Sequence, residues 1–260
     1  MTGTEGRTLF ITGGSRGIGA AVVLAAARSG WNVGFTYATR EDAAKEVARE
    51  AEAAANEVAA ASGGAEVRYW KLDVRDATAV DTVADEVIAT FDGVHAVICN
   101  AGVNLNGLAY GMEDQEWRTV IDTNLTGTFH VCRAFLPELV AARAGRIIVM
   151  SSITAGGASG QIAYASSKAG LQGLAKTLAK EYGPKGVTTN VVVPGYFETD
   201  MTRGESMAES LKEFAIDYCP LRRLGELDEL AETILFLASD GAGFINGAVI
   251  PVTGGLDWAP

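Results

Sequence analysis

Histidine is nearly missing from this chain: 260 residues contain two, His95 and His130, and no cluster of cysteines accompanies either. A zinc site assembled from His and Cys is therefore not expected, and no metal is assigned. The three cysteines, Cys99, Cys132 and Cys219, are widely spaced and odd in number, which argues against a disulfide framework. No apolar run approaches the roughly 18 residues needed to cross a bilayer. Met1 to Gly6 is short and polar, without a basic-then-apolar pattern, so the expectation is a cytoplasmic protein with no membrane partner. Positive charge is also scarce. Lys and Arg number 21 against 32 Asp and Glu, a formal net charge of -11. Nucleic-acid surfaces rely on dense Lys and Arg, so none is expected here, and any anionic ligand must meet a local positive site.

Apolar residues make up 48% of the chain, enough to bury a substantial core. Short β-rich runs alternate with longer Ala-rich stretches. Strands are expected at Thr8 to Thr12, Asn32 to Tyr37, Val67 to Leu72, Ala96 to Asn100, Arg146 to Ser151, Thr188 to Val193 and Ala248 to Val252. Helices are expected near 17 to 29, 41 to 61, 76 to 91, 115 to 143, 161 to 182 and 226 to 239. Such alternation implies an α/β fold: a doubly wound parallel sheet of about seven strands with helices on both faces. No composition break marks a boundary, so residues 1 to 260 read as a single domain. One long irregular connection, Tyr196 to Arg223, carries Phe197, Met201, Met207, Phe214 and Tyr218 and reads as a lid over an apolar ligand.

The first strand ends in TGGSRGIG, Thr12 to Gly19, directly before a helix. Gly13, Gly17 and Gly19 suit a tight turn with close approach to a pyrophosphate, and the helix N-terminus supplies unpaired N–H groups. Gly13 to Gly17 also satisfies G-x-S-x-G, the serine-hydrolase elbow. That reading fails because His95 precedes its strand and His130 lies within a helix, so no histidine stands at the carboxyl edge of the sheet. At the end of the second strand, where NAD sites place an acid, the chain has Tyr37, followed by Thr39 and Arg40, with Arg16 in the loop. Two cations and no carboxylate there favour NADP(H). Further on, Tyr164 and Lys168 in AYASSKAG stand one helical turn apart on a common face among small residues. An ammonium beside a phenol is expected to lower the phenol pKa into general acid–base range.

TGGSRGIG, LDV (Leu72 to Val74), NAG (Asn100 to Gly102), Asn124 in DTNLTG, Ser151-Ser152, YASSK and PGYFETDM (Pro194 to Met201) resemble, in order, the motif set of the short-chain dehydrogenase/reductase family. Within it the C-terminal third is most similar to bacterial 3-oxoacyl-(acyl-carrier-protein) reductases. The resemblance implies a Rossmann fold, a dinucleotide cofactor and carbonyl reduction by hydride transfer. It makes Tyr164 the general acid, Lys168 its electrostatic partner and ribose ligand, and Asn124 the residue that holds a helix open for a proton relay. It places Ser15, Arg16, Gly17, Ile18 and Gly19 on the pyrophosphate, Asp73 and Val74 beside adenine, and Asn100, Ala101 and Gly102 behind the cofactor. Pro194, Gly195, Phe197 and Thr199 fall at the nicotinamide end.

Counting back from Tyr164 by the family's usual interval gives Ser151 as the catalytic serine, whereas the strand GRIIVMSS matches with Ser152. The loop with Gly156, Gly157 and Gly160 absorbs a deletion more easily than a hydrogen-bonded strand, so Ser152 is expected. The resemblance also implies a homotetramer joined through the helices near 115 to 143 and 161 to 182 and through the C-terminal strand region. The segment LVAARAGR offers only Arg143 to an acidic carrier protein, and like net charge slows such an encounter. A free ketone therefore stands beside an acyl-carrier or CoA thioester as substrate. Two rivals stay open: an NAD-dependent dehydrogenase of a sugar, steroid or cyclic alcohol, and a non-catalytic dinucleotide sensor.

Overall fold

The computed structural model describes residues 6–62, 65–197 and 209–257. Seven strands form one parallel sheet: β1 (Thr8–Ile11), β2 (Asn32–Tyr37), β3 (Val67–Lys71), β4 (Ala96–Cys99), β5 (Arg146–Met150), β6 (Thr188–Pro194) and β7 (Val249–Val252). Their spatial order is β3-β2-β1-β4-β5-β6-β7. The order reverses between β1 and β4, which register Leu9 against Ala96 and Ile11 against Ile98. Open α/β sheets bind ligands in the crevice outside the carboxyl ends of the strands at such a point.

β1, β4 and β5 are buried along their whole length, as expected for a parallel sheet covered on both faces. One face packs on α1 (Gly17–Arg28), α2 (Glu41–Ser62) and a later helix, through residues such as Val22, Ala26, Phe35, Ala51 and Ile234. The other carries α3 (Ala77–Phe91) and two further helices over Phe10, Val87, Val97, Phe135 and Leu171. Phe10 and Phe135 meet with ring centroids 4.6 Å apart. Truncating either fully buried ring to Ala is worth about 3–5 kcal/mol.

Two expectations need correction. The helix near 115 to 143 is not continuous: α4 (Asp114–Ile121) passes into a π turn (Asp122–Thr126) and then α5 (Gly127–Ala142). The Gly127 amide donates to the Asp122 carbonyl, five residues back, so one extra residue is accommodated without breaking the helix. The Tyr196 to Arg223 connection is not irregular throughout, because α7 (Glu209–Tyr218) lies within it. Its Leu211, Phe214, Ala215 and Tyr218 follow the i, i+3, i+4, i+7 helical spacing. Met201 and Met207 lie outside the described residues. α6 (Ile162–Tyr182) and α8 (Leu227–Ala238) fall close to their expected positions, and the α8 N-terminus is closed by reciprocal bonds between Glu226 and Glu229. Among the described residues, no helix is long and apolar enough to cross a membrane.

Candidate active site

The glycine-rich loop links β1 to α1. Gly13 sits at φ +71°, in left-handed backbone that favours glycine, and a Cβ on Gly19 would stand 2.1 Å from the Gly13 carbonyl oxygen. Thr12 and Asn100 hold the loop in place. The Asn100 amide donates to the Thr12 and Gly13 carbonyls at 3.0 and 3.1 Å, and the Thr12 hydroxyl accepts from the Asn100 and Ala101 amides. Arg16 precedes α1 in extended backbone and its side chain does not cap the helix, so the first N–H groups of α1 have no side-chain acceptor there.

This loop forms one end of a cleft that runs along the carboxyl edge of the sheet. Gly13, Ser15, Arg16, Gly17, Ile18, Gly19, Tyr37, Thr39, Arg40, Asp73, Val74, Asn100, Ala101, Gly102, Tyr164, Lys168 and Pro194, all expected at the cofactor, line it together. Its wall also includes Thr36, Ala38, Leu72, Val103, Thr123 and Met150, none of them assigned to the cofactor from the sequence. Two further expected residues have other contacts. Gly195 donates its amide to Val252, in the β6–β7 pairing. Phe197 is buried and lines a separate apolar cavity with Cys219, Leu224 and Leu256; it sits so close to Gly225 that a Cβ there would meet the ring at 2.2 Å. Thr199 lies outside the described residues.

The end of β2 carries Tyr37 rather than an acid, and the two acids that follow it are each paired with a cation. The Arg40 Nε and Nη2 donate to the two oxygens of Asp42 at 3.1 and 3.0 Å. Glu41 pairs with Lys45 at 3.1 Å and takes a hydrogen bond with Tyr37. Asp73 is gripped by Arg75, with Nη2 to Oδ2 at 2.6 Å, and this pair holds its carboxyl below the usual range.

At the opposite end, α6 presents Tyr164 and Lys168 toward the end of β5. Lys168 is 4% exposed, and its Nζ donates to the Met150 carbonyl at 2.7 Å while standing 5.5 Å from the centroid of the Tyr164 ring. Burial lowers the Lys168 ammonium to about 8. Burial likewise raises the Tyr164 phenol above its ordinary value, partly opposed by a hydrogen bond with Ser152. The lowered phenol expected from the sequence is thus reversed in direction. Burying both groups disfavours both charged forms, and the ammonium spends a proton on a main-chain oxygen. A phenol held protonated is a proton donor.

The two serines part as strand alternation requires. Ser151 is buried and its hydroxyl donates to the Lys168 carbonyl at 2.9 Å. Ser152 faces the phenol and lies 3.1 Å from the Thr154 hydroxyl. Asn124, in the π turn and fully buried, accepts from the Val103 amide at 2.8 Å and donates to the Val103 carbonyl and the Ser167 hydroxyl, each at 3.0 Å. Ser167 in turn donates to the Tyr164 carbonyl at 2.7 Å. Ser167 was not singled out in the sequence, although its place between Tyr164 and Lys168 in YASSK was a usable signal.

A switch-point crevice with a glycine loop at one end and a Ser-Tyr-Lys group built around a buried lysine at the other defines a dinucleotide-binding α/β oxidoreductase. The turn that only glycine fits and the uncapped start of α1 suit a nicotinamide dinucleotide, with the pyrophosphate at the loop. The family model described as Enoyl-(Acyl carrier protein) reductase matches residues 13–257. A Staphylococcus epidermidis protein named 3-oxoacyl-[acyl-carrier-protein] reductase FabG is 38% identical over 96% of this chain and 98% of its own length. A Pseudomonas aeruginosa protein of the same name is 37% identical over 97% and 98%. A crystal structure from Sinorhizobium meliloti, provisionally described as a short-chain alcohol dehydrogenase, superposes with a TM-score of 0.89 at 30% identity, covering 97% of this chain and 96% of that one. The chain therefore belongs to the short-chain dehydrogenase/reductase family, and it is an oxidoreductase working between CH–OH and C=O groups.

Proposed function

We propose that this oxidoreductase is an NADPH-dependent carbonyl reductase interconverting a ketone and a secondary alcohol, the ketone being a 3-oxoacyl thioester or another small, largely apolar compound. The observation that carries the proposal is the buried Lys168 beside Tyr164, its Nζ held on the Met150 carbonyl at 2.7 Å and 5.5 Å from the centroid of the phenol ring. The cofactor, when bound, supplies hydride to the carbonyl carbon. The chain's part is to hold the carbonyl oxygen and protonate it. Ser152 donates a hydrogen bond to that oxygen, and Tyr164 delivers its proton as negative charge develops there, in an environment whose low polarity strengthens both contacts. Lys168 stabilises the phenolate that remains and binds the nicotinamide ribose. Asn124 fixes Val103 and, through Ser167, the backbone of Tyr164. In the reverse direction the same phenolate takes the proton from the alcohol.

Arg16 and Arg40 support NADPH over NADH, because both line the adenosine end and no acid stands at Tyr37. The 3-oxoacyl substrate rests on the names of the relatives. Residues 196–223 act as the substrate lid within one domain, and the exposed faces of α4, α5 and α6 suit a homotetramer. Initial rates with NADPH and NADH over 3-oxoacyl thioesters, cyclic ketones and diketones test the reading. NADPH is expected to give the higher kcat/KM, and Tyr164→Phe to lose roughly 10²–10⁴-fold. A clear preference for NADH removes the cofactor assignment. Full activity in Tyr164→Phe removes the mechanism, and tight NADPH binding without turnover across the panel points instead to a nucleotide sensor.

A further inference from the structure

The adenosine end of the cleft carries a competition that its sequence motif does not announce. Arg40 lines the cleft, yet its Nε and Nη2 edge is engaged by Asp42 in a two-pronged pair at 3.1 and 3.0 Å. That edge is one of the two by which a guanidinium grips two oxygens of a phosphate. A phosphate and the Asp42 carboxylate therefore cannot both occupy it. The pair is solvated, with side chains 60% and 71% exposed, and exposed pairs of this kind are weak. A dianionic phosphate can displace a monoanionic carboxylate from such a site, and Asp42 then remains nearby as an unpaired like charge.

The neighbouring acid is occupied differently. Glu41 is paired with Lys45 and hydrogen-bonded with Tyr37, so its charge is balanced by a cation of its own helix. Arg16, which lines the same cleft, has no ion pair among the described residues. Asp42 is thus an acid seen to hold a cation expected to bind the 2'-phosphate.

We infer that Asp42 is a specificity-determining residue that weakens selection for the 2'-phosphate by holding Arg40, and that NADPH binding transfers Arg40 from Asp42 to the phosphate. The inference rests on the NADPH reading above. Its test is equilibrium binding to the purified protein by calorimetry, with NADP+, NAD+ and the fragment adenosine 2',5'-bisphosphate as probes. The parent is compared with Asp42→Asn, Asp42→Glu and Arg40→Ala, and thermal unfolding checks that each variant is folded.

Asp42→Asn is expected to tighten NADP+ and the bisphosphate by about two- to fivefold, the range that an exposed ion pair supports, with NAD+ moving far less. Asp42→Glu retains the charge and should stay close to the parent. Arg40→Ala should weaken NADP+ and leave NAD+ nearly unchanged. Equal shifts for NADP+ and NAD+ in Asp42→Asn, no shift, or weaker NADP+ binding would each overturn the inference; the last would make Asp42 a residue that orients Arg40 productively. A parent that binds NAD+ more tightly than NADP+ defeats the NADPH reading instead, and the Asp42→Asn comparison still reports separately on the competition.

Discussion

Replacing each of two adjacent serines by alanine separates a hydrogen bond that serves chemistry from one that serves the fold. The Ser152 hydroxyl faces the Tyr164 phenol. Removing one preorganised donor to a developing oxyanion costs about 3 kcal/mol of transition-state stabilisation, so Ser152→Ala should lower kcat by roughly a hundredfold. Its cost to the fold is small: it accepts the Thr154 amide at 3.2 Å in a single short turn, worth about 1 kcal/mol at most. Ser151 reverses the balance. Its hydroxyl is buried on the Lys168 carbonyl, and losing that bond costs about 1 kcal/mol of stability, or roughly 2–4 °C in Tm for a chain of this size. Turnover should stay within about threefold of the parent, since Lys168 keeps its bond to Met150. The assay is NADPH consumption with a ketone found active in the panel, alongside thermal unfolding of both variants. A Ser151→Ala variant that loses the hundredfold while Ser152→Ala keeps its rate would refute the assignment and move the family interval back to Ser151.

Other perturbations reach different parts of the structure. Because burial lowers Lys168 to about 8 from its ordinary 10.5, the unfolded chain holds that proton more tightly, so folding stability gains about 3 kcal/mol as pH rises from 8 to 10.5. Denaturant titrations across that window should show the gain in the parent and lose it in Lys168→Met; parallel curves would contradict it. His95 accepts the Thr8 amide at 3.1 Å, and burial together with Arg7 holds its imidazole below the ordinary 6.5. Its contribution is therefore complete above pH 6.5 and falls away below it, so the stability gap between the parent and His95→Gln should narrow on acidification, and a gap that widens would be the wrong sign. Gly19→Ala forces a methyl to within 2.1 Å of the Gly13 carbonyl oxygen. The variant should lose about 1–3 kcal/mol of stability and at least tenfold in NADPH affinity by fluorescence titration, roughly 1.4 kcal/mol; parental values for both would show that the loop tolerates the shift.

The sheet and the cleft were legible because their signals are local. Each strand is a short apolar run bounded by turn residues, each flanking helix has its own periodicity, and the cleft falls where strand order requires. TGGSRGIG and YASSK lie close to the elements that position them, so residues far apart in sequence, such as Gly13 and Lys168, arrive on one wall. The tertiary terms were less visible. That Tyr164 is shifted upward depends on how deeply α6 is buried, which the four-residue spacing does not encode. Asp42 is one of two acids in the first turn of α2, and only the folded chain shows it gripping Arg40. The strand match already favours Ser152 over Ser151, but the α6 carbonyl that Ser151 meets, which gives that choice its physical basis, appears only in the fold. α7 was readable from its spacing, but five aromatic and methionine residues in one connection drew the reading toward a loop.

The π turn at Asp122–Thr126 has a consequence for the evolution and engineering of this chain. An α-helix advances by about 100° per residue, so deleting any one residue between Ile121 and Gly127 would heal the helix and rotate everything beyond it by that angle. The apolar side of α5, which now meets α3 through Val131 and Phe135, would swing toward water while α4 stayed on α6. The surplus residue thus works as a phase adjuster, letting two consecutive helical stretches address different neighbours while sharing one axis. A length change there should be far less tolerated than one in the Gly156–Gly160 loop.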